Sequence, residues 1–253
     1  MILQAENVTK YYGEFRALHD VTLGVSAGEF VSIIGPNGAG KSTLLNLLTG
    51  LARPSSGTVR FKDRDITGIG PVKLAKLGMA RSFQLVQIFP DLTVRETLQA
   101  AVAARLRRGR RIFASLRGDR DIRDGAEEVA ALFGLDAKRR ALARELPQGD
   151  KKLLDVASAF ALRPEIILLD EPTSGVSTAD KTRIMEILVR AAKTIGLQAI
   201  IQVEHDMDIV FGFSDRIVAL HQGAVLADAT PREVQADQRL VDMVVGRRRG
   251  ASA

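Results

Sequence analysis

The stretch GPNGAGKST, Gly35 to Thr43, decides the fold. Upstream, GEFVSIIG is an apolar run ending in glycine, which reads as a buried strand. Downstream, Lys41 to Thr49 reads as a helix closed by Gly50. A glycine-rich turn between a buried strand and a helix is the setting a phosphate loop requires. Glycines let the backbone curl until successive N–H groups and the helix N-terminus face one anion. Gly35, Pro36, Asn37, Gly38, Ala39, Gly40, Lys41, Ser42 and Thr43 are therefore the candidate triphosphate-binding residues. Lys41 is placed to reach the terminal phosphates and Ser42 to set its hydroxyl on Mg²⁺. By composition alone this spacing arises in such a chain about once in a hundred times, and the flanking strand and helix lower that further.

The matching half is IILLDEP, 166–172. Four apolar residues predict a buried strand, with Asp170 at its end to hold Mg²⁺ and Glu171 one step on to polarise an attacking water. Open α/β sheets bind ligands beyond the carboxyl ends of their strands, where both segments deliver their polar groups. An acidic pair after a strand is weak by itself and strong beside a phosphate loop.

Outward from these two motifs, residues 2–8 and 17–25 read as strands with YYGEF as the turn between them. SSGTVRFKDRDI reads as a strand and turn, and PVKLAKLG as a short helix. Val94, Leu98 and Val102 repeat on one helical face from Thr93 to about Arg108, and a second helix is expected from about Asp121 to Phe133. Strand signals return at 165–170 and 197–204, separated by a helix with Ile184, Leu188, Ala191 and Ile195 along one stripe. Two strands about a His221–Gly223 turn follow, then a polar helical tail after Pro231. Strands alternating with helices predict an α/β chain with a mostly parallel sheet, an antiparallel N-terminal part and an inserted helical subdomain. The expected division is a nucleotide-binding core of 1–88 and 160–230, a helical subdomain of 89–159, and a C-terminal tail of 231–253, all one domain.

Composition bounds the rest. The 253 residues are 46% hydrophobic and 26% charged, ordinary for a globular protein. No apolar run approaches the roughly 18 residues needed to span a bilayer. The N-terminus lacks the pattern of a signal peptide. With no cysteine there is neither a disulfide framework nor a thiolate metal site. A cytosolic location is expected. The net charge of +6 is concentrated in six arginines from Arg105 to Arg117 and in Arg247–Arg249. Neither cluster carries interleaved aromatics, so a solvated face is expected first, contact with anionic lipid headgroups second, and nucleic acid third.

Together these residues resemble the nucleotide-binding subunits of ABC transporters, along nearly the whole chain. The resemblance implies a P-loop NTPase fold and an ATPase using ATP and Mg²⁺. It gives Tyr12 the part of the aromatic residue that stacks on adenine. Gln84 in ARSFQ matches the glutamine that reaches the metal and the attacking water, and His205 in VEHDM matches the switch histidine at the γ-phosphate. Lys41, Gln84, Glu171 and His205 form the implied catalytic set, with Ser42, Gln84 and Asp170 around the metal.

Two stations depart from the family. The loop that caps ATP from the opposite subunit is usually Leu-Ser-Gly-Gly-Gln. Here it is Leu146, Pro147, Gln148, Gly149 and Asp150, which loses a hydroxyl and a backbone donor at Pro147. Gly149 and the helix N-terminus remain to face phosphate, with Lys151 and Lys152 expected to offset Asp150. An aspartate usual near Ser177 is also missing, and Asp180 is the nearest acid. Loss of the serine is expected to weaken closure, not abolish hydrolysis.

The stretch ARSFQLVQIFPDLTVRETL and the ending HQGAVLADATPREVQADQRLVDMVVG look most like the larger ATPase subunit of branched-chain (hydrophobic) amino acid importers. That implies a head-to-tail partner ATPase, either a second copy or a paralogue, two membrane permeases and an extracytoplasmic solute-binding protein, without nucleic acid. The subunit would sit on the inner face of the cytoplasmic membrane, with Val86 to Pro90 as candidate lip of the permease groove. Importers of urea, amides or aromatic acids use the same ATPase type and stay open, as do a mechanical switch acting on DNA or ribosomes and a binding-only regulatory subunit.

Overall fold

The structure is a computed structural model that describes residues 1–82, 89–108 and 119–245, with Val245 described in its backbone only. In chain order the strands and helices are β1 (Leu3–Tyr12), β2 (Phe15–Val25), β3 (Phe30–Ile34), α1 (Lys41–Leu48), β4 (Ser56–Phe61), β5 (Arg64–Asp65), α2 (Pro71–Lys76) and β6 (Met79–Arg81). They continue with α3 (Val94–Arg105), α4 (Arg120–Leu132), α5 (Gln148–Ala161), β7 (Ile166–Asp170), α6 (Thr178–Ile195) and β8 (Ala199–Val203). The last are α7 (Met207–Phe213), β9 (Arg216–His221), β10 (Ala224–Ala229), α8 (Pro231–Ala236) and α9 (Gln238–Val245). Two compact units divide the chain: residues 1–74, 168–171 and 198 onward, and residues 75–167 and 172–197.

The first unit holds an antiparallel sheet in the order β2–β1–β4–β5 and a second sheet running β10–β9–β3–β8, then 168–170 of β7. In the second sheet β3 is parallel to both β8 and β9, while β10 returns antiparallel on β9. Every residue of β3, β7 and β8 is buried, as a parallel sheet covered on both faces demands. These strands end at Ile34, Asp170 and Val203, so their polar sequels emerge at one edge of the sheet.

The YYGEF stretch differs from the expected five-residue turn. Tyr11 and Tyr12 continue β1, Phe15 opens β2, and Tyr12 faces Phe15 across the hairpin. Only Gly13 and Glu14 turn, with Gly13 left-handed at φ +59°. Aromatic residues favour strand, and one glycine supplies the positive φ a two-residue turn needs.

The tail also differs. It is helical but not simply polar, because Val234, Leu240 and Val244 are buried against Ile34, Val210, Ile217 and Ala219. Leu240 and Val244 are one turn apart, so a single apolar face emerges from a mixed sequence.

The second unit is mostly helical, with β6 beside the start of β7, where Gly78 O accepts the Glu165 and Ile166 N–H groups at 2.7 and 3.1 Å. Helix α3 starts in a reciprocal capping box between Thr93 and Glu96, worth about 1 kcal/mol. Its Val94, Leu98 and Val102 are all fully buried, as their spacing predicts. Phe133 and Phe160 meet edge to face at 5.1 Å between ring centroids. Helix α6 buries Ile184, Leu188 and Ala191 and ends on Gly196 in the left-handed region. Of the basic run, Arg108 is held by Asp119 at 2.7 Å and Asp121 at 2.9 Å; residues 109–118 lie outside the described part. No described helix is long and apolar enough to cross a membrane.

Candidate functional site

The phosphate-loop residues form the connection between β3 and α1. Three glycines carry it through the left-handed region, Gly35 at φ +151°, Gly38 at +81° and Gly40 at +102°. At two of them the neighbours also exclude a side chain. A Cβ on Gly35 would run into the Leu220 carbonyl, and one on Gly40 would sit 2.7 Å from Leu18 Cδ2 and 2.9 Å from Ala17 O. Gly38 faces open space and is exposed with Asn37, so the loop's middle is accessible while its ends are clamped. The clamp includes the β9–β10 turn, where Gly223 N–H donates to Ala39 O at 3.0 Å and Gly223 O accepts from His19 N–H at 2.8 Å. That support comes from a turn the motif itself does not contain.

Lys41 is buried, and its Nζ donates to Gly35 O at 2.7 Å and Pro36 O at 3.0 Å. Burial lowers its pKa below the ordinary lysine value, and the nearby charges of Glu171 and Asp170 oppose that shift. The acid pair and the loop lysine therefore share one electrostatic environment. Ser42, next along, is exposed at the first turn of α1.

Asp170 ends β7 with only 4% exposure. Glu171 follows in the left-handed region at φ +49°, a conformation costing about 1–2 kcal/mol for a residue with a Cβ. Its N–H donates to Val203 O at 2.9 Å, which ties it to the end of β8. Its Oε1 lies 2.9 Å from His205 Nε2. Asp170, Glu171 and His205, remote in sequence, thus meet at one strand edge with the phosphate loop. Serine hydroxyl and aspartate carboxylate are hard oxygen donors, which suit Mg²⁺ bound largely through phosphate and water. No group of three or more His, Cys, Asp or Glu side chains that could hold a metal ion occurs among the described residues.

Tyr12 stands at the tip of the β1–β2 hairpin, 48% exposed, with Lys10 Nζ 4.9 Å from its ring centroid. Ala17 and Leu18, which pack on Gly40, are close in β2 to Phe15, its cross-strand partner. Gln84 and residues 86–88 of the candidate groove lip lie outside the described residues; Phe89 is exposed.

In the second unit, Leu146 is buried, Pro147 is the N-cap of α5, and Gln148, Gly149 and Asp150 form its first turn. Pro147 supplies no side-chain cap to the first turn of α5. Asp150 has a partner that the sequence reading did not name. Lys152 is 1% exposed inside α5, and it is Lys138 that pairs with the buried Asp150 carboxylate. Ser177 caps α6, its Oγ donating to Asp180 Oδ2 at 2.6 Å and accepting from Asp180 N–H at 3.3 Å. Serine and the acid three residues on are thus one helix-start device.

A family model described as ABC transporter matches residues 18–174. The chain belongs to the ABC transporter family. The high-affinity branched-chain amino acid transport ATP-binding protein LivG of Escherichia coli K12 is 32% identical over 97% of this chain and 98% of its own length. A probable LivG of Archaeoglobus fulgidus is 33% identical over 97% and 95%. An ATP-binding cassette of an ABC transporter, crystallised in its ADP conformation, superposes with a TM-score of 0.84 at 31% identity, covering 97% and 98%. A bacterial ABC transporter cassette solved as a dimer gives 0.77 at 29%, covering 91% and 99%. The fold is that of an ABC ATPase, and the chain is an ATPase of that family.

Among these ABC site elements, two supports were not legible from motifs. One is the Leu220–Gly223 segment under the phosphate loop. The other is Glu204, a carboxylate at the buried end of a strand, whose only sequence signal was an acid standing where an apolar residue would continue the run.

Proposed function

We propose that this chain is the ATP-hydrolysing subunit of an importer for branched-chain or related amino acids, working on the inner face of the cytoplasmic membrane. The observation that carries the ATPase half is the approach of Glu171 to His205 beside a lysine whose charge both acids influence. The solute half is supported by the LivG-type relatives that span nearly the whole chain.

Tyr12 stacks on the adenine ring, and the N–H groups of Gly35 to Thr43 cradle the phosphates. Lys41 exchanges its two carbonyl partners for the β- and γ-phosphate oxygens. Ser42 and Asp170 would hold Mg²⁺, which when bound would neutralise charge on the phosphate oxygens; the family resemblance gives Gln84 the part of reaching the metal and the attacking water. Glu171 orients that water and accepts its proton as the water oxygen bonds to the γ-phosphorus and the bond from that phosphorus to the bridging oxygen breaks, with ADP leaving on the bridging oxygen. His205 steadies Glu171 and contacts the γ-phosphate.

A second ATPase subunit, identical or paralogous, covers the site head to tail and supplies residues 146–150. Its α5 N-terminus faces phosphate, and with Asp150 paired to Lys138 the acid does not oppose the anion with its full charge. Pro147→Ser is expected to promote ATP-dependent dimerisation about fivefold, the factor of one added hydrogen bond worth about 1 kcal/mol. Sedimentation against ATP concentration reads this, and an unchanged midpoint refutes a trans role for the loop.

Two permease subunits and an extracytoplasmic binding protein complete the transporter. Deleting the gene in its host should reduce uptake of radiolabelled leucine, isoleucine and valine to background, with return on complementation. Unaltered uptake of all three, with loss of urea or amide uptake, would replace the amino acid assignment. Co-purification with nucleic acid and no membrane subunit would remove the transport reading altogether.

A further inference from the structure

We propose that Glu204 is a positioning residue for His205, an inference that rests on the parts given above to His205 and Glu171. Glu204 follows β8 and is 3% exposed. Its Oε2 accepts the N–H of His205 at 2.8 Å and lies 3.5 Å from the N–H of Asp206, the two residues immediately after it. Its own N–H donates to Ile33 O at 3.4 Å, in the strand that feeds the phosphate loop. The residue before it, Val203, accepts the Glu171 N–H at 2.9 Å. Glu204 therefore stands where the strand of the phosphate loop, the acidic pair and the histidine turn are joined. It also lines, with Gly35, Pro36, Asn37 and His205, a cavity of ≈ 240 Å³.

The need for such an anchor follows from burial. The His205 side chain is 42% exposed, so close packing does not hold its ring against Glu171. Its place depends on the backbone of the β8–α7 turn. A buried carboxylate is costly unless its oxygens accept hydrogen bonds, and strand packing alone would be better served by an apolar residue. Two successive N–H groups converging on one oxygen turn that cost into a fixed direction for the histidine. Reacting groups misplaced by about 1 Å can lose on the order of 100-fold in rate.

The test measures steady-state hydrolysis and nucleotide affinity of the purified full chain. Glu204→Ala is expected to lower kcat by about 10- to 100-fold, with KM and calorimetric ATP affinity within about threefold of the original. Glu204→Gln, whose amide oxygen can accept the same two N–H groups, should stay within about threefold in kcat. Placed on a His205→Ala background, Glu204→Ala should add no further loss, because both substitutions remove one unit. If the alanine variant does not fold, Glu204→Met fills the volume without an acceptor and carries the same expectations.

Full turnover in the acceptor-less variants overturns the proposal, as does a loss of equal size on the His205→Ala background. A glutamine variant as slow as alanine overturns it too, by showing that charge and not acceptance matters. His205→Ala alone separates the two readings. A normal rate there removes the assigned part of His205, whereas a slow His205→Ala with a fast Glu204→Ala leaves that part standing and removes the positioning.

Discussion

Glu171→Gln should lower kcat by about 10²- to 10⁴-fold, the range for removing a general base, and leave an ATP-bound dimer that accumulates. Glutamine has the same shape, so the amide oxygen can still meet His205 Nε2, now 2.9 Å from Glu171 Oε1. The N–H to Val203 O is untouched, and with it the left-handed conformation at φ +49°. What disappears is the proton acceptor and one negative charge beside the phosphates. Binding is therefore preserved and slightly favoured, while the step that lets the subunits part is lost. Phosphate release and size-exclusion chromatography with ATP read the two halves of the result. Hydrolysis at the original rate in the purified variant would end the assignment of Glu171 as base.

Lys41→Ala should act earlier, on binding itself. A charge-assisted hydrogen bond is worth about 1.5–3 kcal/mol, so ATP affinity is expected to fall roughly 10- to 100-fold. Turnover should fall further, by about 10²- to 10³-fold, as for removal of one donor from a charge-stabilising site. Lys41 is buried at the start of α1, and Nζ is aimed back across the loop at Gly35 O and Pro36 O. Burial would push such a lysine toward neutrality, and Glu171 and Asp170 oppose this. Alanine thus also removes the cation that lets two carboxyl groups stand beside a polyphosphate. Calorimetric titration with ATP and a phosphate-release assay check both numbers; unchanged affinity together with unchanged turnover would refute the phosphate-loop reading.

The two predictions differ in kind and so separate binding from chemistry. Lys41→Ala should abolish ATP-dependent dimerisation, and Glu171→Gln should enhance it.

Local order was legible in the chain itself. A run of five buried residues ending at Ile34, a glycine turn and a helix beginning at Lys41 follow from apolar patterning and glycine's freedom in the left-handed region. Val94, Leu98 and Val102 announce their buried face by spacing alone. Tertiary structure decided the rest, because its causes lie between segments far apart in sequence. The polarity of the C-terminal tail reads differently once Leu240 and Val244 find Ile34 and Ile217 to cover. Asp150 reads as a charge for Lys151 and Lys152 to offset until Lys138 comes to pair with it, and only the packing of α5 shows that Lys152 is buried. Glu204 reads as a stray acid until the turn after it folds back to donate its N–H groups. Hydrophobic period and turn chemistry act over a few residues and can be read in one dimension. Charge pairing and hydrogen-bond satisfaction of buried groups depend on which distant neighbours the fold delivers.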